Sequence, residues 1–334
     1  MKALAASLAL AAAAIVLAAF AQPQWRWDLP PGVAPPPVPA DNPMSAAKVE
    51  LGRRLFYDGD LSVDGTVGCF NCHGQHRAFT ESNATHPGVK GVPGRRNAMM
   101  LGNVAYLSSL TWGDPTQRSL EAQVLTPLTG EHPIEMGMKG QEAELVRRLS
   151  GDACYRRQFA QAFPGEKDAI DLGHVAKAIA AFERTLVSFG SDYDRGAMSD
   201  AAKRGKAVFA RFACASCHAG RLFTDADAAD PLAAFHRIEP ASGPDKGLAE
   251  ITGKPEDAGR FRTPSLRNVA LSSPYLHDGS AKTVPEAIRR HETAAAISEA
   301  DMADLTAFLE ALTDKAFVTD PRLGLPKTRC GKPL

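Results

Sequence analysis

The sequence has no excess of charge of either sign. Its 38 Lys and Arg residues balance 38 Asp and Glu residues over 334 positions, and the isoelectric point is near 7.1. Proteins that bind nucleic acid or an anionic membrane surface mainly through charge carry a basic excess. The composition therefore favours neither of these functions.

Cysteine is scarce too, and four of the six cysteines fall in two copies of one short motif. The copies are Cys69-Phe70-Asn71-Cys72-His73 and Cys214-Ala215-Ser216-Cys217-His218. In haem c, two thiols at this spacing bond to the haem and the next histidine binds the iron. A zinc site needs two further ligands at matching spacing, and a thioredoxin-like pair needs no histidine. We therefore expect two covalently bound haem c groups, with His73 and His218 as proximal iron ligands.

The other two cysteines are Cys154 and Cys330. An even remainder in an oxidising compartment permits a disulfide. Sequence alone does not show whether their Cα atoms come close enough, so the pairing stays open.

The N-terminus has the pattern of a secretory signal. Lys2 precedes an apolar run over residues 4–20, and Ala19-Phe20-Ala21 fits a cleavage site. We expect a signal peptide over residues 1–21 and a periplasmic mature protein without a membrane anchor. An uncleaved anchor is the alternative, because the apolar run approaches spanning length.

Few segments have the alternating pattern of a strand. Most of the chain instead has helical spacing, in a pattern that occurs twice. A proline-rich linker, 22–43, should be extended and exposed. Apolar spacing predicts helices over residues 45–57, 141–149 and 171–189, and a closing helix that begins at a capping box, Ser298 to Asp301. Each haem motif is preceded by a similar segment and followed by a closing helix. We therefore expect an all-α fold of two cytochrome c-like haem domains, 44–195 and 196–334, with little β structure.

The chain resembles the bacterial di-haem cytochrome c peroxidase and MauG superfamily over nearly all of the mature sequence. Besides the haem motifs, the resemblance rests on these segments: Ala78-Phe79-Thr80, Arg96-Asn97, Asn103, Trp112, Gln123, Glu135-Met136-Gly137, Thr263-Pro264-Ser265-Leu266-Arg267-Asn268 and Pro274-Tyr275-Leu276-His277-Asp278-Gly279. Each segment alone is a weak signal, and together they are specific.

The resemblance implies that Glu135 is the catalytic glutamate over the open face of the first haem, with Gln123 and Pro127 in the same pocket. Cleavage of hydrogen peroxide needs a group that takes a proton from one oxygen and delivers it to the other. A partly desolvated carboxylate has a pKa raised towards the useful range. Pattern alone would treat Glu135 as a surface acid.

Other roles follow from the same resemblance. Trp112 would lie between the haems and relay electrons. Asn97, through its side chain, and Arg262 and Pro264, through backbone carbonyls, would bind a calcium ion. His277 would lie beside the second haem and hydrogen-bond a propionate or orient its loop.

The sequence departs from ordinary di-haem peroxidases in two places. Val89 stands where their capping histidine for the first iron would fall, and His76 and His86 are displaced from that position. We therefore expect an open first haem. His291 stands where peroxidases have an axial methionine and MauG has a tyrosine, so we expect it to bind the second iron. A solvated helix histidine is the alternative for His291.

These features most resemble the MbnH branch of MauG-like proteins. The resemblance implies that hydrogen peroxide forms a high-valent di-haem state, which oxidises a residue of a partner protein. Enzymes of that branch convert a tryptophan of a copper-binding partner protein to kynurenine. The alternatives are a cytochrome c peroxidase supplied by a small cytochrome or cupredoxin, and a non-enzymatic di-haem electron carrier. The remaining histidines, His132, His174 and His236, have no motif support.

Overall fold

A computed structural model describes residues 25–237, 244–330 and 332–333, so the predicted signal peptide lies outside the described residues. The described chain is mainly helical, which confirms the predicted fold class. Its α-helices are α1 (Ala46–Phe56), α2 (Cys69–Cys72), α3 (Leu120–Thr129), α4 (Glu142–Gly151), α5 (Ala153–Ala162), α6 (Leu172–Glu183), α7 (Asp200–Arg211), α8 (Ala249–Thr252), α9 (Val284–Arg289) and α10 (Glu299–Glu310). Its strands form two antiparallel ribbons, β1 (Phe235–Arg237) with β2 (Arg260–Arg262) and β3 (Thr328–Arg329) with β4 (Lys332–Pro333).

The predicted helix starts are capped by short polar side chains. Ser45 accepts from the Lys48 amide at the start of α1, and Ser298 accepts from the Asp301 amide at the start of α10. Such caps satisfy amides that have no partner within the helix. The helix predicted over residues 141–149 is α4.

The helix predicted over residues 171–189 ends earlier, at Glu183. Beyond it the backbone is held by tertiary hydrogen bonds. The Asn103 amide donates to the Leu186 carbonyl at 2.7 Å, and the Ser188 amide donates to the Asn103 side chain at 2.8 Å. Leu186 stays buried, so the apolar spacing reports burial here beyond the end of the helix.

Two of the longer helices, α3 and α5, were not predicted, and neither were the short helices α2, α8 and α9. Helix α3 contains Pro127, which weakened its sequence signal, and Ser119 caps its start. Helix α5 follows α4 directly and is capped by Asp152.

The duplication is visible in two crossed helix pairs. Helix α1 packs on α6, and α7 packs on α10. A Cβ atom on Gly52 would lie 1.8 Å from the Ala178 carbonyl oxygen, and one on Gly205 would lie 1.9 Å from the Asp304 carbonyl oxygen. Glycine is therefore required at the equivalent crossing of both pairs, which brings each haem motif against its own closing helix.

Two main apolar cores follow these helix pairs. We call the part of the chain around α1 and α6 the first unit and the part around α7 and α10 the second unit. The end of the chain returns to the first unit, where Phe317 and Leu323 join its core. Cys154 and Cys330 form a disulfide with Cα atoms 5.9 Å apart, which settles the pairing that the sequence left open. The first unit is thus closed by the C-terminal segment.

The proline-rich segment lies along the first unit. Two hydrogen-bonded turns, closed by the Val33 and Asn42 amides, interrupt its backbone, so it is not extended throughout as predicted, although most of its side chains are exposed. Pro36 and Asn42 are buried, and Asn42 is held by a bond to the Lys177 carbonyl and by one from Lys48. The expectation of full exposure was wrong at these two positions. No helix in the described part of the chain is both long and apolar enough to cross a bilayer.

Candidate haem sites

The second motif lies at the edge of a cavity of about 500 Å³. His218 and His291 face each other across it, with ring centres 6.4 Å apart. A metal bound by two opposed imidazoles holds the ring centres roughly 6 Å apart, because each metal–nitrogen bond is about 2 Å long. The two rings are thus spaced for one metal between them.

The protonation of His218 suits a metal ligand. Its Nδ1 lies 3.2 Å from the Phe223 carbonyl oxygen, so Nδ1–H can donate there and leave Nε2 free. Burial and the neighbouring His291 lower the pKa of His218 to about 4, so the ring is neutral at pH 7.

The wall of the cavity suits a large apolar group that carries carboxylates. Its apolar side chains include Phe209, Leu266, Ile288, Leu305 and Leu309. Arg262 also lines the cavity, and the Nε and Nη1 atoms of its guanidinium are buried with no hydrogen-bond partner in the described part of the chain. A haem fits this donor set, since it offers a porphyrin face to the apolar wall and propionates to the arginine.

The first motif repeats the same local bonding. Helix α2 carries both cysteines, and the Nδ1 atom of His73 lies 2.8 Å from the Phe79 carbonyl oxygen. Burial lowers the pKa of His73, which again favours a neutral ring with Nε2 available.

The buried thiols do not have the lowered pKa that favours a redox pair. Burial raises the pKa of Cys69 and Cys214, and that of Cys72 to about 12. Thioredoxin-like cysteines need a lowered pKa to be reactive. Among the described residues, the only compact group of metal-binding side chains is Cys217, Asp225 and His236, and it lacks a fourth ligand for a structural zinc site.

Glu135 lies on a loop that is fixed by backbone hydrogen bonds. The Met136 amide donates to the Pro127 carbonyl at 3.0 Å, and the Val89 amide donates to the Glu135 carbonyl at 2.8 Å. Burial raises the pKa of Glu135. Its carboxylate is close enough to raise the pKa of Cys69 and Cys72 as well. The structure therefore brings Glu135 to the first motif.

Gln123 and Pro127 lie one turn apart on α3, beside this loop. The Gln123 Oε1 atom is buried without a partner in the described chain. An acceptor in that state is available to a bound ligand or water.

Val89 places no ligand at the first site. Its side chain is 2% exposed and belongs to the buried apolar residues. His86 is displaced from the capping position in sequence, but in the fold it lies near the first motif. Its charge would lower the pKa of both His73 and Glu135. Its Nδ1 atom lies 2.7 Å from the Pro87 carbonyl oxygen.

Two further acids near the first motif were missed in the sequence. Glu81 is 5% exposed, and neither carboxylate oxygen has a partner among the described residues. Glu183 ends α6 beside Cys69, and burial raises its pKa to about 8. No motif identifies them, because only the folded chain shows which acids are buried.

Trp112 and the predicted calcium ligands line the same cavity, the one beside the second haem motif. The Trp112 indole N–H donates to the Asn97 carbonyl at 2.8 Å, and the Arg262 amide donates to the Trp112 carbonyl at 2.9 Å. The side-chain nitrogen of Asn97 donates to the carbonyls of Asn83 and Ala84. Its side-chain oxygen is therefore available to a cation. The same wall includes Pro264.

His277 lies behind this wall. Its ring stacks on Phe261 at 3.6 Å, and Phe261 itself lines the cavity. The His277 carbonyl accepts from the Asn97 amide at 2.8 Å, so the residue ties its loop to the first unit.

A helical chain of two similar units, each with a haem-attachment motif, defines a di-haem c-type cytochrome fold. Comparison with known proteins agrees. Residues 46–202 match the family described as di-haem cytochrome c peroxidase, and residues 202–313 match cytochrome c.

Individual relatives cover most of the chain. Cytochrome-c peroxidase IdrP1 of Denitromonas iodatirespirans is 33% identical over 95% of each chain. The methylamine utilization protein MauG of Methylorubrum extorquens is 34% identical over 86% of this chain and 84% of its own. A crystal structure described as a MauG-like protein associated with microbial copper homeostasis has a TM-score of 0.84 and 38% identity, over 90% of this chain and 99% of that one. The chain belongs to the di-haem cytochrome c peroxidase and MauG family of haem oxidoreductases, and its cytochrome c domains bind haem c covalently.

Proposed function

We propose that the protein is a periplasmic MauG-like enzyme that uses hydrogen peroxide to oxidise a residue of a partner protein. The observation that carries this proposal is the asymmetry of the two sites. His218 faces a second imidazole, whereas Glu135 lies near the cysteines of the first motif and the capping position holds the buried Val89.

Glu135 has the properties of a general acid–base group. Its raised pKa lets it take a proton from peroxide and then deliver that proton to the departing oxygen. Val89 and Pro127 hold its loop by backbone bonds, so the carboxylate needs little reorganisation. The bound haem supplies the redox chemistry, and the protein positions and tunes it.

His218 and His291 would close the second site to peroxide, so that this site exchanges electrons only. Trp112 is proposed as the route between the sites, because its indole lies in the cavity wall that faces the first unit. A calcium ion on Asn97, Arg262 and Pro264 would brace the same region.

The proposed partner is a copper-binding protein with an oxidisable tryptophan. This part of the proposal is supported by the 38% identity to the MauG-like protein associated with copper homeostasis. Incubation of the holoenzyme with peroxide and such a partner should convert a partner tryptophan to kynurenine, detected by mass spectrometry. An unchanged partner, with peroxide consumed, would count against this substrate.

A cytochrome c peroxidase is the second candidate, since IdrP1 is 33% identical over nearly the whole chain and His86 lies near the first site. Addition of peroxide to the oxidised protein without a reductant separates the two. We expect an immediate optical change, because Val89 leaves no side-chain ligand at the capping position. A protein that reacts only after reduction would instead be a conventional peroxidase.

A further inference from the structure

The described chain buries three arginines almost completely, and one of them has no acidic partner. Arg184 and Arg262 are 3% exposed and Arg267 is 1% exposed. A buried guanidinium without a counter-ion is strongly destabilising, so it is normally paired.

Two of the three follow this rule. Arg267 donates to both carboxylate oxygens of Asp194 at 2.8 and 2.9 Å. Arg184 pairs with Glu121 at 2.7 Å.

Arg262 does not follow it. Its Nη2 atom lies 3.0 Å from the Met99 sulfur, and its Nε and Nη1 atoms have no partner. Asp225 is the nearby acid, but it bonds His236 at 2.6 Å and forms no ion pair with Arg262. The protein itself therefore leaves two strong donors unused.

Arg262 lines the cavity beside the second motif, together with His218 and His291. Haem carries two propionate carboxylates, and a guanidinium binds a carboxylate with two parallel hydrogen bonds. A haem held between His218 and His291 would occupy the cavity that Arg262 lines, so Arg262 would be the cation available to a propionate.

We propose that Arg262 is the counter-ion of a propionate on the second haem, and that its charge raises the reduction potential of that haem. Reduction adds one negative charge to the haem, so a nearby buried cation stabilises the ferrous form. This proposal rests on the family assignment and is independent of the substrate proposed above.

The test is a potentiometric titration of the holoprotein, followed by the low-spin optical and EPR signals of the second haem. In Arg262→Gln we expect at least a tenfold lower ratio of ferrous to ferric second haem at a fixed potential. For a one-electron couple this is a downward shift of about 59 mV. Resonance Raman should also show a shifted propionate-bending band.

Two variants serve as controls. Arg262→Lys keeps the charge and should stay within threefold of the wild-type ratio. Arg260→Gln removes an exposed arginine from the same strand and should change nothing. All three variants retain the backbone carbonyls that we assign to calcium.

An Arg262→Gln protein with the wild-type potential and Raman band would overturn the proposal, as would a shift confined to the first haem. If Arg262→Gln does not retain haem, the lysine variant decides. Retention of haem with a near-wild-type potential in Arg262→Lys supports the counter-ion role, and loss of haem in that variant refutes it.

Discussion

The two haem sites share one construction and differ in what faces the proximal histidine. Both motifs follow a helix with a crossing glycine, and both proximal rings lie against a backbone carbonyl, of Phe79 in one unit and Phe223 in the other. The chain brings a buried acid near the first motif and places a second imidazole opposite the second one. The two similar halves therefore differ in the residues that approach each motif.

The two sites also differ in the charged side chains that lie near them. Acids with raised pKa values surround the first motif, namely Glu81, Glu135 and Glu183. The second cavity contains the unpaired Arg262 cation instead. Acids in that state suit proton transfer, whereas a fixed cation tunes an electron-transfer site.

The largest effect is expected from His291→Ala, which would make the second site resemble the first. Loss of the facing imidazole should abolish the low-spin signal of that haem and give a second high-spin EPR signal. His236→Ala is the control, because His236 lies in the same cavity but bonds Asp225. An unchanged low-spin signal in His291→Ala would show that His291 is not a ligand.

Glu135→Gln should remove the proton chemistry of the first site and leave both haem spectra intact. We expect peroxide to react about 10² to 10⁴ times more slowly in stopped-flow measurements. In the wild type the rate should rise with pH through the pKa of Glu135, which lies above its ordinary value of 4.5, because the base must be ionised to accept a proton. A variant that retains this pH-dependent limb would assign it to another group, such as Glu81.

Cys154→Ser should destabilise the first unit more than the second, because the disulfide joins α5 to the C-terminal segment. Loss of a bridge that closes a long loop costs roughly 2 to 5 kcal/mol. Thermal unfolding followed at the haem bands measures the effect. Cys330→Ser breaks the same bond and should match it, and unequal losses would point to another role for one cysteine.

The smallest effects are expected at the two helix crossings. Gly52→Ala and Gly205→Ala each force a helix away from a carbonyl oxygen, at a cost of about 1 to 3 kcal/mol in the unit concerned. Gly151→Ala is a matched helical control, since no atom lies within 4 Å of its added Cβ. Denaturant unfolding should show losses at both crossings and none at Gly151. Equal stability for all three would refute the packing role.

Local spacing predicted the two haem motifs, because short motifs specify covalent chemistry locally, whereas the other site residues were predicted only through the family resemblance. Sequence reasoning misjudged features that depend on distant contacts. The helix ending at Glu183 was predicted too long, since the bonds to Asn103 come from another segment. His86 was set aside because it is displaced from the capping position in sequence, and only the fold shows that its charge acts on Glu135.

The sequence by itself predicted two haem groups and their proximal histidines, because each attachment motif is a short run of adjacent residues. Only the tertiary structure decided that His291 faces His218, that Cys154 meets Cys330, and that Arg262 is buried with no acidic partner in the described part of the chain. These are properties of burial and of distances between segments far apart in the chain, and local pattern does not encode them.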